Sequence, residues 1–422
     1  AQYNAVDRGF ITDYYDPSPA IFTDIWDRSF GDQDTEFAPM FHCQRAVEVS
    51  KEAGNAHKEG IARIWRVFLF QRITDMFGDI PYTDAFKSTM AKFETQEFIY
   101  NDFLSELILA KKLLEDSANF PSYGNSDLIY KGDLNKWEKF ANSLLLRLAL
   151  RVYDRDEELS RSYIDAIDNG EFITTKEESN RLQWDGVVSN IYFRNPILVT
   201  EVFANTRVSE TMINTLNDLS DPRLKVYAKP AVTDGEYRGL RNGRNALNEA
   251  SEDDEYFDQF SKLGDAIIEP DGYTYNMHHA EVYFLKAEAI LKGLINGDAE
   301  SEYQLGIKSA LDIYAGLTGE EVSEYLKSNV IQYNPDSALQ QIILQKWISL
   351  YMNGIEAWSE KRRTGFPVLG PIDFPGTLNN GAYPLRLTYS ENERALNNEE
   401  LQKAVRRMGG DTQLIPVWWD IQ

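Results

Sequence analysis

The sequence predicts an all-α, mainly helical protein in which a tetratricopeptide-like helix-hairpin scaffold carries long irregular loop insertions. Three observations point there. Six segments repeat apolar residues at three- and four-residue steps. They fall as neighbours of about 15 to 20 residues joined by short polar or glycine-containing links. Between about 172 and 275 the rhythm gives way to a stretch rich in Asn, Gly, Asp and Tyr, with Asp221-Pro222 and Asn242-Gly243 as turn signals.

In chain order, Ile61, Ile64, Trp65, Phe68, Leu69, Ile73 and Met76 share one face of a helix over 60–77, a face that must be buried. Gly78 and Pro81 end it, because glycine reaches the left-handed backbone that closes a helix and proline cannot continue the turn. Ile99, Phe103, Leu107, Ala110 and Leu114 mark a helix near 96–116, and Trp137, Phe140, Ala141, Leu144, Leu148 and Val152 mark another. Ala280, Phe284, Ala287 and Leu291, followed by Tyr303, Ile307, Ala310, Leu311 and Tyr314, give a pair over 278–316. Its small-residue and aromatic rhythm is that of a degenerate tetratricopeptide repeat, and about three or four such pairs are expected. Ile343, Trp347, Tyr351, Ile355 and Trp358 read as one last helix. After Arg363, the residues Pro367, Pro371, Pro375 and Gly376 mark a second irregular stretch. Loops on a rigid support are where function is expected.

At 422 residues, a prior of roughly 150 residues per domain suggests two or three domains. Helical repeats escape that prior by adding units packed on their neighbours. The net charge of -24 argues against nucleic acid, whose phosphates are bound through clustered Lys and Arg. The dense basic run Lys361, Arg362, Arg363 sits at a predicted helix end, where cations complement the helix dipole. The acidic run Glu252 to Glu255 reads as a solvated loop without calcium-loop spacing. The single cysteine, Cys43, excludes an intrachain disulfide and a multi-thiolate zinc site, and burial is expected for it. LLLRLALRV at 144–152 is interrupted by Arg147 and Arg151, so no stretch approaches a membrane span and any attachment must come from a lipid.

Catalytic motifs are mostly absent: there is no nucleophile elbow, phosphate loop, dinucleotide glycine fingerprint or H-E-x-x-H pair. His278 and His279 open a predicted helix and read as capping or exposed rather than metal-binding. Among 67 acidic residues a carboxylate pair at glycosidase spacing would arise by chance. No catalytic residue, cofactor or metal is therefore assigned. Aromatic residues carry more information. They make up 13% of the chain, and many fall outside the helical stripes: Tyr14, Tyr15, Trp26, Phe30, Phe37, Trp184, Tyr192, Phe193, Tyr237, Tyr256, Tyr273 and Tyr275. Sugar rings pack flat C–H faces on aromatic faces, while their hydroxyls need Asn, Asp, Arg and Gln. The competing role for each ring is to pin a loop to the helices. The expected ligand-binding residues are Trp26, Tyr192, Tyr237, Arg241, Asn242 and Tyr273.

RITDMFGDIPYTDAF at 72–86, EVYFLKAEAIL at 281–291, KWISLYMNGIEAWSEKRRTGFPVL at 346–369, PLRLTYSENERALNNEELQKAV at 384–405 and PVWWD at 416–420 occur in an order that resembles the SusD/RagB family of nutrient-binding outer-membrane lipoproteins. The resemblance runs from about residue 60 to the C-terminus. It implies a single domain over 1–422, with a helical scaffold at about 60–170 and 278–360, a ligand-facing insertion at about 172–275 and an irregular segment at 364–422. It implies structural roles for Phe77, Gly78, Asp79, Pro81, Trp358, Arg362, Arg363, Trp418 and Trp419. It also implies a non-enzymatic protein on the extracellular face of the outer membrane, held by an N-terminal lipid. Such a protein would bind a glycan and pass it to a SusC-like TonB-dependent transporter. The lipidated residue would not be Cys43, which lies inside a folded segment; the chain, which opens at Ala1, is expected to be a processed or truncated form. Two other readings stay open: a repeat scaffold that binds peptide or protein, and a glycoside hydrolase on a helical scaffold.

Overall fold

A computed structural model describes residues 4–5, 19–31, 38–116, 120–167, 170–187, 194–198, 206–242, 257–370 and 379–421. In chain order its helices are α1 (Pro19–Phe30), α2 (Pro39–Glu52), α3 (Ala56–Phe77), α4 (Gln96–Leu114), α5 (Leu134–Val152), α6 (Glu157–Asp165), α7 (Glu210–Asp218), α8 (Leu224–Tyr227), α9 (Asp265–Ile268), α10 (His279–Leu291), α11 (Ala299–Ala310), α12 (Gly319–Tyr325), α13 (Ala338–Ser349), α14 (Gly354–Thr364), α15 (Glu391–Leu396) and α16 (Asn398–Met408). Six short strands, β1 (Asn4–Ala5), β2 (Ile80–Pro81), β3 (Phe93–Glu94), β4 (Asn180–Gln183), β5 (Arg207–Val208) and β6 (Tyr273–Met277), pair as three two-stranded ribbons. The mainly helical hairpin scaffold is the one the periodicity predicts. The chain divides into two compact units: Pro17–Phe172 with Tyr383–Gln422, and Ala1–Asp16 with Ile173–Ala382.

In the first unit α2 packs on α3, α3 on α4 and α5 on α6. The predicted face of α3 is buried at Ile61, Ile64, Phe68, Ile73 and Met76, and Asn55 caps its start by accepting from the Lys58 amide. Gly78 closes it with φ +86° and ψ -123°, its amide donating to the Thr74 carbonyl. A side chain there would also collide with Met408, 2.5 Å from where a Cβ would stand. The segment after residue 364 is not irregular throughout, since α15 and α16 lie within it. α16 carries Leu401, Ala404, Val405 and Met408 at three- and four-residue steps, a helical period that is short and set among charged residues.

In the second unit α10 packs on α11, and α13 packs on both. Gly306 lets α11 approach α10 closely: a Cβ there would stand 2.6 Å from the Phe284 ring. Ala280, Phe284, Ala287, Tyr303, Ile307 and Ala310 share the resulting core with Ile342. The predicted single last helix is two helices, because the chain turns through Leu350–Asn353 with Met352 at φ +72°. The apolar spacing runs through the break because Tyr351 in the turn is buried as well.

Candidate functional site

The residues of the sequence motifs turn inward. At the end of α3 the fully buried Asp75 carboxylate accepts from the Tyr100 hydroxyl (2.5 Å), the Gln71 amide (2.5 Å) and the Trp419 indole N–H (2.8 Å), and pairs with the fully buried Arg151. Asp79 accepts from the Gln96 backbone N–H at 3.0 Å and from Arg407 at 2.7 and 3.0 Å. Burial pushes the Asp79 carboxyl up, and Arg407 pulls the other way. Arg386 donates to the Phe77 carbonyl at 2.9 Å, while Trp418 is half-buried 6.1 Å from Tyr100. In the second unit Arg363 grips Glu288 through two bonds of 2.6 and 2.7 Å and Glu360 through one of 2.6 Å. Arg362 lies 3.9 Å from the Trp358 ring centroid. Within the basic run it is Lys361, donating to the Gly365 carbonyl at 2.6 Å, that serves the helix end. Arg363 instead completes a buried ion cluster, as buried arginines do when their carboxylates are fully bonded.

His278 caps α10: its Nδ1 accepts from the Glu281 amide at 2.9 Å, and its Nε2 donates to the Ser349 carbonyl at 3.0 Å. His279 is buried against Ser179, and burial pulls its imidazole down to about 4. Neither histidine is exposed. Cys43 is buried with its Sγ 3.5 Å from the Ala62 carbonyl, and burial pushes its thiol up to about 12 against the pull of Arg66. Among the described residues no three His, Cys, Asp or Glu side chains converge where a metal ion could sit.

The most concentrated loop-borne aromatic and polar chemistry lies on the β4–β6 ribbon of the second unit. Its antiparallel register sets Arg181 opposite Tyr275 and Gln183 opposite Tyr273, which puts all four on one face. The Arg181 guanidinium sits 4.1 Å from the Tyr273 ring centroid and donates to the Tyr275 hydroxyl at 3.2 Å. The two tyrosine rings stand 6.1 Å apart, tilted by 45°. Burial pushes the Tyr275 phenol up, with Arg181 opposing. Trp184 packs toward the opposite face, its indole N–H donating to the Thr274 hydroxyl at 2.9 Å. Tyr273 and Trp184 are both half-buried, which leaves ring surface for a ligand.

The expected binding residues separate. Tyr273 lies on this ribbon. Tyr237, Arg241 and Asn242 share one loop, held where the Leu240 amide bonds the Val208 carbonyl at 2.9 Å. Tyr237 is half-buried and Arg241 exposed. Burial raises the Tyr237 phenol, and nearby Lys225 lowers it. Tyr192 lies outside the described residues, as do Tyr14, Tyr15, Phe37, Phe193, Tyr256 and the acidic run 252–255. Trp26 is a correction. It is 2% exposed, its ring centroid within 4.7 to 6.0 Å of Phe30, Phe77, Phe93 and Tyr389, so no face is open to a sugar. An amphipathic helix, α1, carries it inward, and its place outside the six stripes misled the reading.

Sequence reasoning missed Arg181, which shows no sequence signal, and Phe86, which closes the motif at 72–86. Phe86 has φ +66°, an uncommon backbone for a bulky residue, and sits between Phe30 (6.1 Å) and Phe41 (5.6 Å) in the first unit. Strain of this kind is often kept at binding sites, which makes this half-buried trio a second aromatic surface. A groove of about 820 Å³ in the second unit is lined by Lys225, Lys229, Asp265 and Glu269 among apolar residues from Leu198 to Gly316. No aromatic ring is among its lining residues. Asp265 is 88% exposed and ion-paired to Lys229, unlike the buried carboxylic acid that glycosidases use as proton donor.

Comparison with known proteins places this geometry. A SusD-like family model, described as starch-binding and associating with the outer membrane, matches residues 7–390. A chitin-binding protein superposes with a TM-score of 0.88 at 25% identity, over 100% of this chain and 93% of the other. A SusD homologue from Bacteroides uniformis gives 0.86 at 27% identity, over 100% and 93%. A chitin-binding SusD homologue from Flavobacterium johnsoniae gives 0.86 at 26% identity, over 100% and 92%. No curated protein matches the sequence.

Proposed function

Because the chain belongs to the SusD-like family of starch-binding proteins that associate with the outer membrane, we propose that it captures an oligosaccharide at the cell surface without cleaving it. Among the described residues no helix is long and apolar enough to cross a membrane. An N-terminal lipid therefore supplies the attachment in this reading, and a SusC-like TonB-dependent transporter receives the glycan. One lipid chain anchors reversibly, so the transporter contact provides the second hold. The observation that carries the reading is the family match across residues 7–390. The β4–β6 ribbon supplies the chemistry: Tyr273 offers a ring face with Arg181 and Gln183 as hydrogen-bonding groups on the same side, and Trp184 offers a ring on the opposite face. The two chitin-binding structural relatives make β-linked N-acetylglucosamine oligomers the first ligands to test, beside starch oligomers.

Two or three stacked rings at about 0.5–1.5 kcal/mol each and several hydrogen bonds near about 1 kcal/mol each must offset an association cost of at least about 4 kcal/mol. The isolated protein should then bind with a Kd on the order of micromolar to millimolar. Calorimetry with chitin and starch oligosaccharides, with chromatography of every mixture, tests the reading. Binding without new products, weakened about two- to tenfold in Tyr273→Ala, supports it. Turnover would overturn the capture role, and full affinity in Tyr273→Ala would move the site off the ribbon. Peptide capture is favoured by one feature, the ring-free lining of the 820 Å³ groove; binding of basic peptides in place of glycans would establish it.

A further inference from the structure

A second groove, of about 480 Å³, lies in the second unit between α11 and the chain that follows α12. Its volume is within the range of small-ligand sites. Glu300, Gln304 and Lys308 recur every four residues along α11 and line it in a row. Opposite them stand Lys327, Gln332 and Tyr333, over a floor that includes the buried Ile307 and Ile331. The half-buried Tyr333 ring lies 5.7 Å from Tyr303. Tyr303 is one helical turn from Glu300, which sets Tyr333 toward the Glu300 end, and burial, then the Asp298 and Glu300 carboxylates, pushes its phenol up. Lys308 is eight residues along α11 from Glu300, or about 12 Å at 1.5 Å per residue.

Two of the lining residues are cations. Lys225 and Lys286 are neutralised by Glu321 and Glu302. Among the described residues neither Lys308 nor Lys327 is paired with a carboxylate, although the chain carries a net charge of -24. The groove thus offers an aromatic face with amide neighbours at Tyr333, and ammonium groups suited to an anion at Lys308 and Lys327.

We infer that this groove is a second saccharide site, selective for a short glycan bearing an anionic substituent, carboxylate or sulfate ester, with a neutral ring against Tyr333 and the acidic group at Lys308 and Lys327. The site is separate from the ribbon and stands or falls without it. Calorimetry on the full chain, at low and at 0.3 M salt, uses three probes: a disaccharide ending in glucuronic acid, a sulfated disaccharide and a neutral glucose disaccharide. The expected result is binding of an acidic probe that weakens with salt and falls about tenfold or more in Lys308→Gln/Lys327→Gln. The neutral probe should bind more weakly and respond to neither change. Carboxylate and sulfate are told apart by which acidic probe binds tighter. Absence of binding by both acidic probes, equal affinity for the neutral one, or full affinity in the double variant would each overturn the inference. Both lysines are exposed, so the double variant should fold normally, with an unchanged melting curve as control. Loss confined to Tyr273→Ala would assign the acidic probes to the ribbon and also overturn it. Acidic binding that survives Tyr273→Ala, with no neutral glycan bound anywhere, would instead sink the ribbon reading and leave this one standing.

Discussion

Replacing Asp75 with alanine should unfold the first unit at a much lower temperature while sparing ligand capture by the molecules that remain folded. Asp75 is fully buried and gathers Tyr100, Gln71, Trp419 and Arg151 around one carboxylate. Removing it takes away the carboxylate that the Arg151 guanidinium, also without solvent exposure, pairs with. Breaking a buried pair from one side costs about 3–5 kcal/mol. For a unit of this size each kcal/mol moves Tm by about 2–4 °C, so a fall of about 6–20 °C is expected. Differential scanning calorimetry reads it directly. Asp75→Leu combined with Arg151→Met removes both charges and should recover a large part of the loss, since the penalty lies in breaking a buried pair from one side. A shift below about 2 °C in Asp75→Ala, or a double variant as unstable as the sum of its singles, would refute the argument.

Three further outcomes follow from single side chains. Trp26→Ala empties the aromatic cluster of Phe30, Phe77, Phe93 and Tyr389 and should cost about 3–5 kcal/mol in urea unfolding, with glycan affinity unchanged per folded molecule; a stable protein that has lost binding would return Trp26 to the site. His279, pulled down to about 4 by burial, binds its proton more weakly folded than unfolded. Its contribution is therefore complete above the ordinary value of 6.5 and is lost as pH falls toward 4, a drop of up to about 3 kcal/mol. Melting curves at pH 7.5 and 5 should separate wild type from His279→Gln at the lower pH, and identical pH dependence would count against it. Cys43, with its thiol pushed up to about 12, should resist an aromatic disulfide reagent until denaturant is added; rapid labelling of the native protein would contradict its burial.

The scaffold was legible because its residues serve packing, and packing leaves a period. Ile61 to Met76 on α3 and Ala280 to Ile307 on α10 and α11 declare their buried faces at three- and four-residue steps. The same signal overran the turn at Met352 because Tyr351 is buried there too, and in α16 it is present at Leu401, Ala404, Val405 and Met408 but spans only about two turns among charged residues. The recognisable motifs were legible for a related reason. Asp75, Asp79, Glu288 and Arg363 bind charge partners dozens to hundreds of residues away, so each constrains sequence at several places at once.

Ligand-facing chemistry has no such constraint. Tyr273 was found by composition, but Arg181, which stacks on it from the opposite strand, is 92 residues earlier in the chain and unremarkable there. Lys308 and Lys327 look like any solvated lysines until the fold sets them along one groove. Trp26 shows the converse error: an aromatic outside every stripe, yet sealed in a core. A ring or a charge becomes a binding group only when a neighbour leaves one of its faces open, and openness is a property of tertiary structure. The residues that identify this family are therefore the ones least able to touch a glycan, and those that would choose the glycan are free to differ between members of one fold.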